Sequence, residues 1–145
     1  MRKLMILLLV VSAMMLSACS LFESANQTVK YADQAQEHMN RLSDFAEQAP
    51  QMIRDAATDP ETKQQLEDRL VALKEDIMQF NLLEAPAIAQ DLHQQLIEKN
   101  QVLLQEINDA LANGHLALDR IQNSPIIQTI SDITSLLNRI ENLGL

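Results

Sequence analysis

Hydrophobic and polar positions divide the chain into two unlike parts. From Leu4 to Leu16 nearly every residue is apolar, with Ser12 as the exception. Beyond Cys19 the apolar residues become spaced, recurring every three or four positions among Gln, Glu, Asp and Asn. The first part is preceded by Arg2 and Lys3 and followed by small residues, the layout of a secretory signal peptide. As helix it reaches only about 20 Å, at ~1.5 Å per residue, whereas a bilayer core is ~30 Å thick. A cleaved signal over residues 1–18 is therefore expected, rather than a membrane span.

The second part carries helical seams. From about Ser24, Ala25, Val29, Ala32, Ala35, Met39, Leu42, Ala46, Ala49, Ile53 and Ala56 recur at steps of three and four, a helix period. Pro50 lies inside that stripe, which predicts a kink near residues 46–50, or a break with immediate restart, because proline removes a ladder hydrogen bond. Asp59-Pro60-Glu61 is a start signal: a capping carboxylate, a proline at the first helical position and an acid facing the positive helix end. A second helix follows, with Leu66, Leu70, Leu73, Ile77 and Phe80 as its seam. Residues 81–86 form a break. A third helix is expected over residues 87–113, with Leu92, Leu96, Leu103, Ile107 and Leu111 inward, ended by Asn113-Gly114. Residues 116–122 predict one or two helical turns. Asn123-Ser124-Pro125 then caps a last helix carrying Ile126, Ile130, Ile133, Leu137 and Ile140.

Two Gly and four Pro in 145 residues leave few punctuation points, and a turn-rich β architecture needs more. The expected fold is all-α: an antiparallel four-helix bundle with a kinked first helix, following the signal peptide. The expected division is residues 1–18 as signal, 19–23 as a short tether and 24–145 as one helical domain, a size that supports a single core.

Charge narrows the partners. The formal net charge is −9, and removing Arg2 and Lys3 with the signal takes it to −11. An acidic body without a basic patch argues against nucleic acid. Three Phe, one Tyr and no Trp give no aromatic platform for a sugar or base. The single cysteine, Cys19, excludes an internal disulfide, so the fold stands on packing alone.

Cys19 stands in a specific context. Leu16, Ser17 and Ala18 precede it, which resembles the lipobox of bacterial lipoproteins: Leu, two small residues, then the modified cysteine. The resemblance implies a thioether to diacylglycerol on the Cys19 thiol, cleavage before Cys19 and acylation of the freed amine as an open point. Two chains suffice for stable anchoring, at roughly 0.8 kcal/mol per buried CH₂. An exported free thiol, the alternative reading, would be reactive and unpaired. Ser20 at the next position resembles an outer-membrane sorting signal if the source is Gram-negative; in a Gram-positive cell the protein faces outward from the cytoplasmic membrane.

Candidate chemistry is sparse. His38, His93 and His115 stand apart, with neither HExxH nor Glu-x-x-His spacing, so no metal ligands are assigned. Neither a nucleophile elbow nor a glycine-rich loop is present, so no catalytic residue is assigned and no cofactor is expected beyond the lipid on Cys19. Asn100 falls on the apolar face of the third helix, one heptad after His93, and the two are read as a buried polar pair that sets helix register, or as the polar lining of a groove. The acidic pairs Glu67-Asp68 and Glu75-Asp76 read as solvated faces. Met39, Met52 and Met78 read as core or rim fillers.

The segments FAEQAPQ, FNLLEAPAIAQDLHQQL and ITSLLNRIENLGL, with the lipobox, resemble a family of small uncharacterised all-helical lipoproteins of Gram-positive, bacillus-type bacteria. The resemblance implies attachment to the outer face of the cytoplasmic membrane and supplies no catalytic residues. The expected function is thus non-enzymatic: a membrane-anchored binding or scaffolding module that meets an envelope protein. Carriage of an apolar small molecule between the helices is the alternative, and a hydrolase with an unrecognised site the third reading.

Overall fold

The computed structural model describes residues 2–112 and 114–142, with side chains given from Asn26 onward except at Glu141. It is mainly helical, with a two-stranded antiparallel sheet. Helix α1 (Arg2–Asp55) is followed by α2 (Pro60–Asn81), a 3₁₀ turn (Ala87–Ala89), α3 (Gln90–Ala110), β1 (Leu111–Ala112), β2 (His115–Leu116), α4 (Leu118–Gln122) and α5 (Ile126–Glu141). Among the described residues no helix is long and apolar enough to cross a membrane.

Helix α1 runs without interruption through Pro50, so of the two expectations, a kink or a break with restart, the break does not occur. The amide that proline lacks removes one rung of the ladder, and the rungs on either side carry the helix across. Its buried face also differs from the expected stripe. Tyr31, Ala35, His38, Leu42, Phe45, Ala49 and Ala56 are buried, while Val29 is exposed and Met39, Ala46 and Ile53 are only half-buried flanks. The seam holds a strict heptad spacing through rings at positions 31, 38 and 45, alternating with Ala35, Leu42, Ala49 and Ala56, while Ala32 and Ala46 fall to its flank. Ala25, which begins the expected stripe, lies outside the described side chains.

Helix α2 starts as its sequence dictates. Asp59 accepts hydrogen bonds from the amides of Glu61 (3.1 Å) and Thr62 (3.3 Å), meeting two of the donors a helix start leaves unpaired. Its five expected seam residues are all buried. The five of α5, Ile126 to Ile140, are buried likewise. Ser124 accepts from the Ile126 amide (3.3 Å) at the start of α5.

The third helix is shorter than its pattern. A 3₁₀ turn leads into it after Pro86, and it stops at Ala110, where Leu111–Ala112 pairs with His115–Leu116. Asn-Gly between two paired residues on each side is a strong hairpin signal as well as a helix stop; here Leu111 pairs with Leu116 and Ala112 with His115. Gly114 supplies a left-handed φ of +82°, which a side chain would resist. Asn113 lies outside the described residues. The hairpin docks on α2 through Glu67, whose carboxylate accepts the Leu116 amide (2.8 Å), so Glu67 is a docking residue rather than part of a solvated face.

Helix α1 packs against α2 and α5, and α3 packs against the same two. Tyr31 meets Phe80 while Phe45 shares a groove with Arg69 and Leu73. Asn81 meets Asn100 while Lys74 meets Asn108. Lys99 pairs with Asp132 while Glu106 meets Thr129. One core of Leu, Ile and Ala side chains, with four rings at one end, lies between these helices.

Candidate functional site

The heptad seam of α1 and the end of α2 bring four rings together: Tyr31, His38, Phe80 and His93. His38 stacks flat on Phe80, with centroids 4.3 Å apart and planes 11° from parallel. His93 reaches in from α3 and meets Phe80 at 5.3 Å and Tyr31 edge-on at 5.5 Å. Both imidazoles are buried, His38 at 2% exposure and His93 at 7%. Polar atoms buried this deeply need partners.

His38 finds its partner across the helix interface. Its Nδ1 lies 2.6 Å from Oδ2 of Asp76 on α2. Because a carboxylate only accepts, Nδ1 carries the proton and donates. Arg41, one turn further along α1, donates to the other oxygen of Asp76 and to Glu37. Burial pushes the Asp76 carboxyl up, but the hydrogen bond and charge of His38, with the Arg41 guanidinium, outweigh it and hold the group below its usual range. Asp76 therefore ties α1 to α2 twice, and it is not the solvated residue that the Glu75-Asp76 pair suggests. The Nε2 atom of His38 has no hydrogen-bond partner among the described residues.

His93 and Asn100 are both buried, as expected, yet they are not joined to each other. Seven residues apart on one helix, they are separated by about 10 Å along the axis. His93 Nδ1 shares a 3.0 Å hydrogen bond with the Tyr31 hydroxyl on α1. Burial holds the Tyr31 phenol protonated by raising its pKa, so it is able to donate to that nitrogen. Burial also lowers the His93 pKa, partly offset by the Leu83 backbone carbonyl, which lies near the ring without completing a hydrogen bond. Asn100 donates from Nδ2 to Oδ1 of Asn81 at the end of α2 (2.8 Å), and its own Oδ1 has no hydrogen-bond partner among the described residues. Each of the two thus tethers α3 to a different neighbour.

These groups set an acid sensitivity. A folded pKa below the unfolded value contributes stability that is complete above the unfolded value and is lost as pH falls. For His93 the loss begins near the ordinary histidine value of 6.5; for Asp76 it begins near 3.8. The melting temperature is expected to decline as pH is taken from 7 to 5, and to decline less in His93→Gln. Parallel curves for the two proteins over that window would contradict the assignment.

Two grooves open beside the cluster. One, of about 440 Å³ between α1 and α2, is lined by Arg41, Asp44, Phe45, Gln48, Arg69, Ala72, Leu73 and Asp76. The other, about 100 Å³, leads from Gln34 and Gln79 toward His38 and Phe80. Their linings contain acid, base and guanidinium groups but no Ser, Thr or Cys side chain to act as a nucleophile. Among the described residues no three His, Cys, Asp or Glu side chains come together as metal ligands. His115 is exposed, 3.5 Å from Glu67 at the hairpin. Leu16, Ser17, Ala18 and Cys19 lie outside the described side chains.

Tyr31, His38 and Asp76 are the residues that sequence pattern alone passes over, whereas Phe80 already stands on the expected seam of α2. The signal was present as the seven-residue spacing of Tyr31, His38 and Phe45, two of which count as polar on hydropathy.

An uncharacterised lipoprotein, YybP, from Bacillus subtilis (strain 168) is 29% identical to this protein over 129 residues, which is 87% of each chain. No solved structure matches. The model of a family of unknown function, DUF6376, matches residues 31–143, most of the chain and all of the helical core from Tyr31 to α5. The chain belongs to that family of unknown function, DUF6376.

Proposed function

We propose that this protein is a lipid-anchored binding module of the cell envelope, held to the outer face of the membrane through Cys19, with no chemistry of its own. The observation that carries the reading is the lipobox Leu16-Ser17-Ala18-Cys19 behind a short apolar run, in a chain similar to a lipoprotein over nearly its whole length. In this reading residues 1–18 are removed, the four long helices act as one antiparallel bundle, and the bundle presents a side groove to another envelope protein.

The groove between α1 and α2 supports that use. Arg41 and Arg69 lie with Asp44 and Asp76 around the ring of Phe45 and the side chain of Leu73. Mixed charges around an apolar floor suit a polypeptide surface, where rim charges set register and an apolar centre contributes affinity. An apolar carrier needs a concave, mainly apolar pocket. The grooves found among the described residues have charged rims, which favours a protein partner over a greasy ligand.

The test is site-specific photocrosslinking on intact cells, with the reactive group at Ala72, which lines the groove, and, for comparison, at Gln122 on α4. A discrete adduct with one envelope protein from position 72, absent from position 122, is the expected result. Labelling of lipid alone, or the same adducts from both positions, would overturn the binding-module reading.

A further inference from the structure

The connection between α2 and α3 is unusually greasy for an exposed turn. Residues 82–89 read Leu-Leu-Glu-Ala-Pro-Ala-Ile-Ala, with Glu84 as the single polar side chain. Connections of this kind are normally rich in Gly, Asn, Asp and Ser. Part of the segment turns inward: Ala85 and Ala89 are buried and Leu83 packs on the core. Leu82 and Ile88 do not. Leu82 is 86% exposed, the highest value among the exposed large hydrophobic residues, and Ile88 is 58% exposed.

This connection sits at a particular end of the molecule. Glu84, Ala85, Pro86 and Ala87 share a groove with Gln27, Lys30, Tyr31 and Gln34, on the first turns of α1 whose side chains are described. That is the end nearest Cys19. Gln27 stands eight positions after Cys19, about 12 Å if the chain between them follows the helix of α1. The opposite end, with Thr58 and Asp59 between α1 and α2, is polar and capped.

We infer that Leu82 and Ile88 form a lipid-contacting tip that enters the headgroup–acyl boundary of the same membrane that holds the Cys19 anchor. The inference rests on the anchoring proposed above. A lipid surface is the occupant because the anchor never lets this end leave it. Tethering over about a dozen ångströms keeps the effective concentration of bilayer at the tip high, so weak apolar contacts suffice. With neighbouring helix axes ~8–10 Å apart, a lean of roughly 50° brings the α2–α3 side down to the level of Cys19. The two apolar side chains select that direction of lean. Glu75, in the middle of the outer face of α2, stops the body from lying flat.

Acylation consumes the single cysteine of the chain, so Leu82→Cys, Ile88→Cys and Thr58→Cys each add one free thiol for an environment-sensitive fluorophore. The full-length processed lipoprotein is reconstituted into phosphatidylcholine vesicles with brominated acyl chains and floated. In the expected result the protein floats, emission from positions 82 and 88 shifts to the blue and is quenched by bromine, and emission from position 58 is unchanged. If the protein floats but positions 82 and 58 respond alike, the tip is overturned and the anchor stands. If it fails to float, the anchor is overturned and the tip with it. Disulfide-linked dimers of the unlabelled Leu82→Cys protein, with no quenching in the labelled one, would show a second copy of the chain as the occupant and overturn the lipid assignment.

Discussion

Leu103→Ala lowers stability by about 3 kcal/mol, whereas Val102→Ala, one residue earlier, changes it by no more than about 0.5 kcal/mol. The two side chains differ little in chemistry and lie on the same helix. Leu103 is fully buried on the inner face of α3, between Leu96 and Ile107, where α3 packs on α2 and α5. Truncation there leaves a cavity that the surrounding close-packed side chains fill only in part. Val102 faces outward and is 48% exposed. Chemical denaturation checks both, with an unchanged slope showing that stability alone has moved. In thermal melts the difference corresponds to a fall of about 10–20 °C for Leu103→Ala in a domain of this size. Equal effects from the two variants would mean that the helix is rotated from the position described.

That contrast draws on the most legible part of the sequence. The seams of α2 and α5 are read correctly residue by residue, because one apolar side chain of similar size recurs every three or four positions and nothing competes with it. Helix α1 is harder. Its inner face is built from Tyr31, Ala35, His38, Leu42, Phe45 and Ala49, so hydropathy credits only part of it, and the flanking Ala32 and Ala46 draw the stripe sideways. A tyrosine and a histidine become core residues only when their polar atoms find partners, and those partners are far away in sequence. Tyr31 bonds His93, 62 residues on, and His38 bonds Asp76, 38 residues on. No local pattern carries that information.

The same reason explains Asp76 and Glu67. Each stands beside another acid on a helix with many acids, where solvent exposure is the sensible expectation. Asp76 is half-buried because His38 and Arg41 are already there to receive it, and Glu67 because the hairpin amide of Leu116 comes to it. The hairpin itself has strands of two residues, too short to show the alternation that marks a strand. Of the site residues, His93 and Asn100 were legible as buried polar groups from their place on the α3 seam; their partners were not.

Cys19→Ala releases the protein from the membrane. Without the thiol no thioether forms, and with it go the two acyl chains that make tethering durable. A single chain gives only marginal, reversible binding, with an association constant of about 10⁴ M⁻¹. The remaining body carries an excess of acidic side chains that anionic headgroups repel, so no electrostatic attachment replaces the lipid. The expected distribution is therefore nearly complete transfer from the membrane fraction to the medium, or retention of the uncleaved chain if processing stalls before the altered residue. Leu82→Ser with Ile88→Ser is a useful companion. It removes the tip contacts and leaves the anchor, so the protein stays with the membrane.

The lipid anchor is the claim on which both the function and the membrane tip depend, and mass spectrometry of the protein extracted from membranes tests it most directly. The expected N-terminal peptide begins at Cys19 and carries a diacylglyceryl thioether on its sulfur. A peptide that begins at Cys19 with a free thiol, or an intact chain retaining residues 1–18 with no lipid, would contradict it.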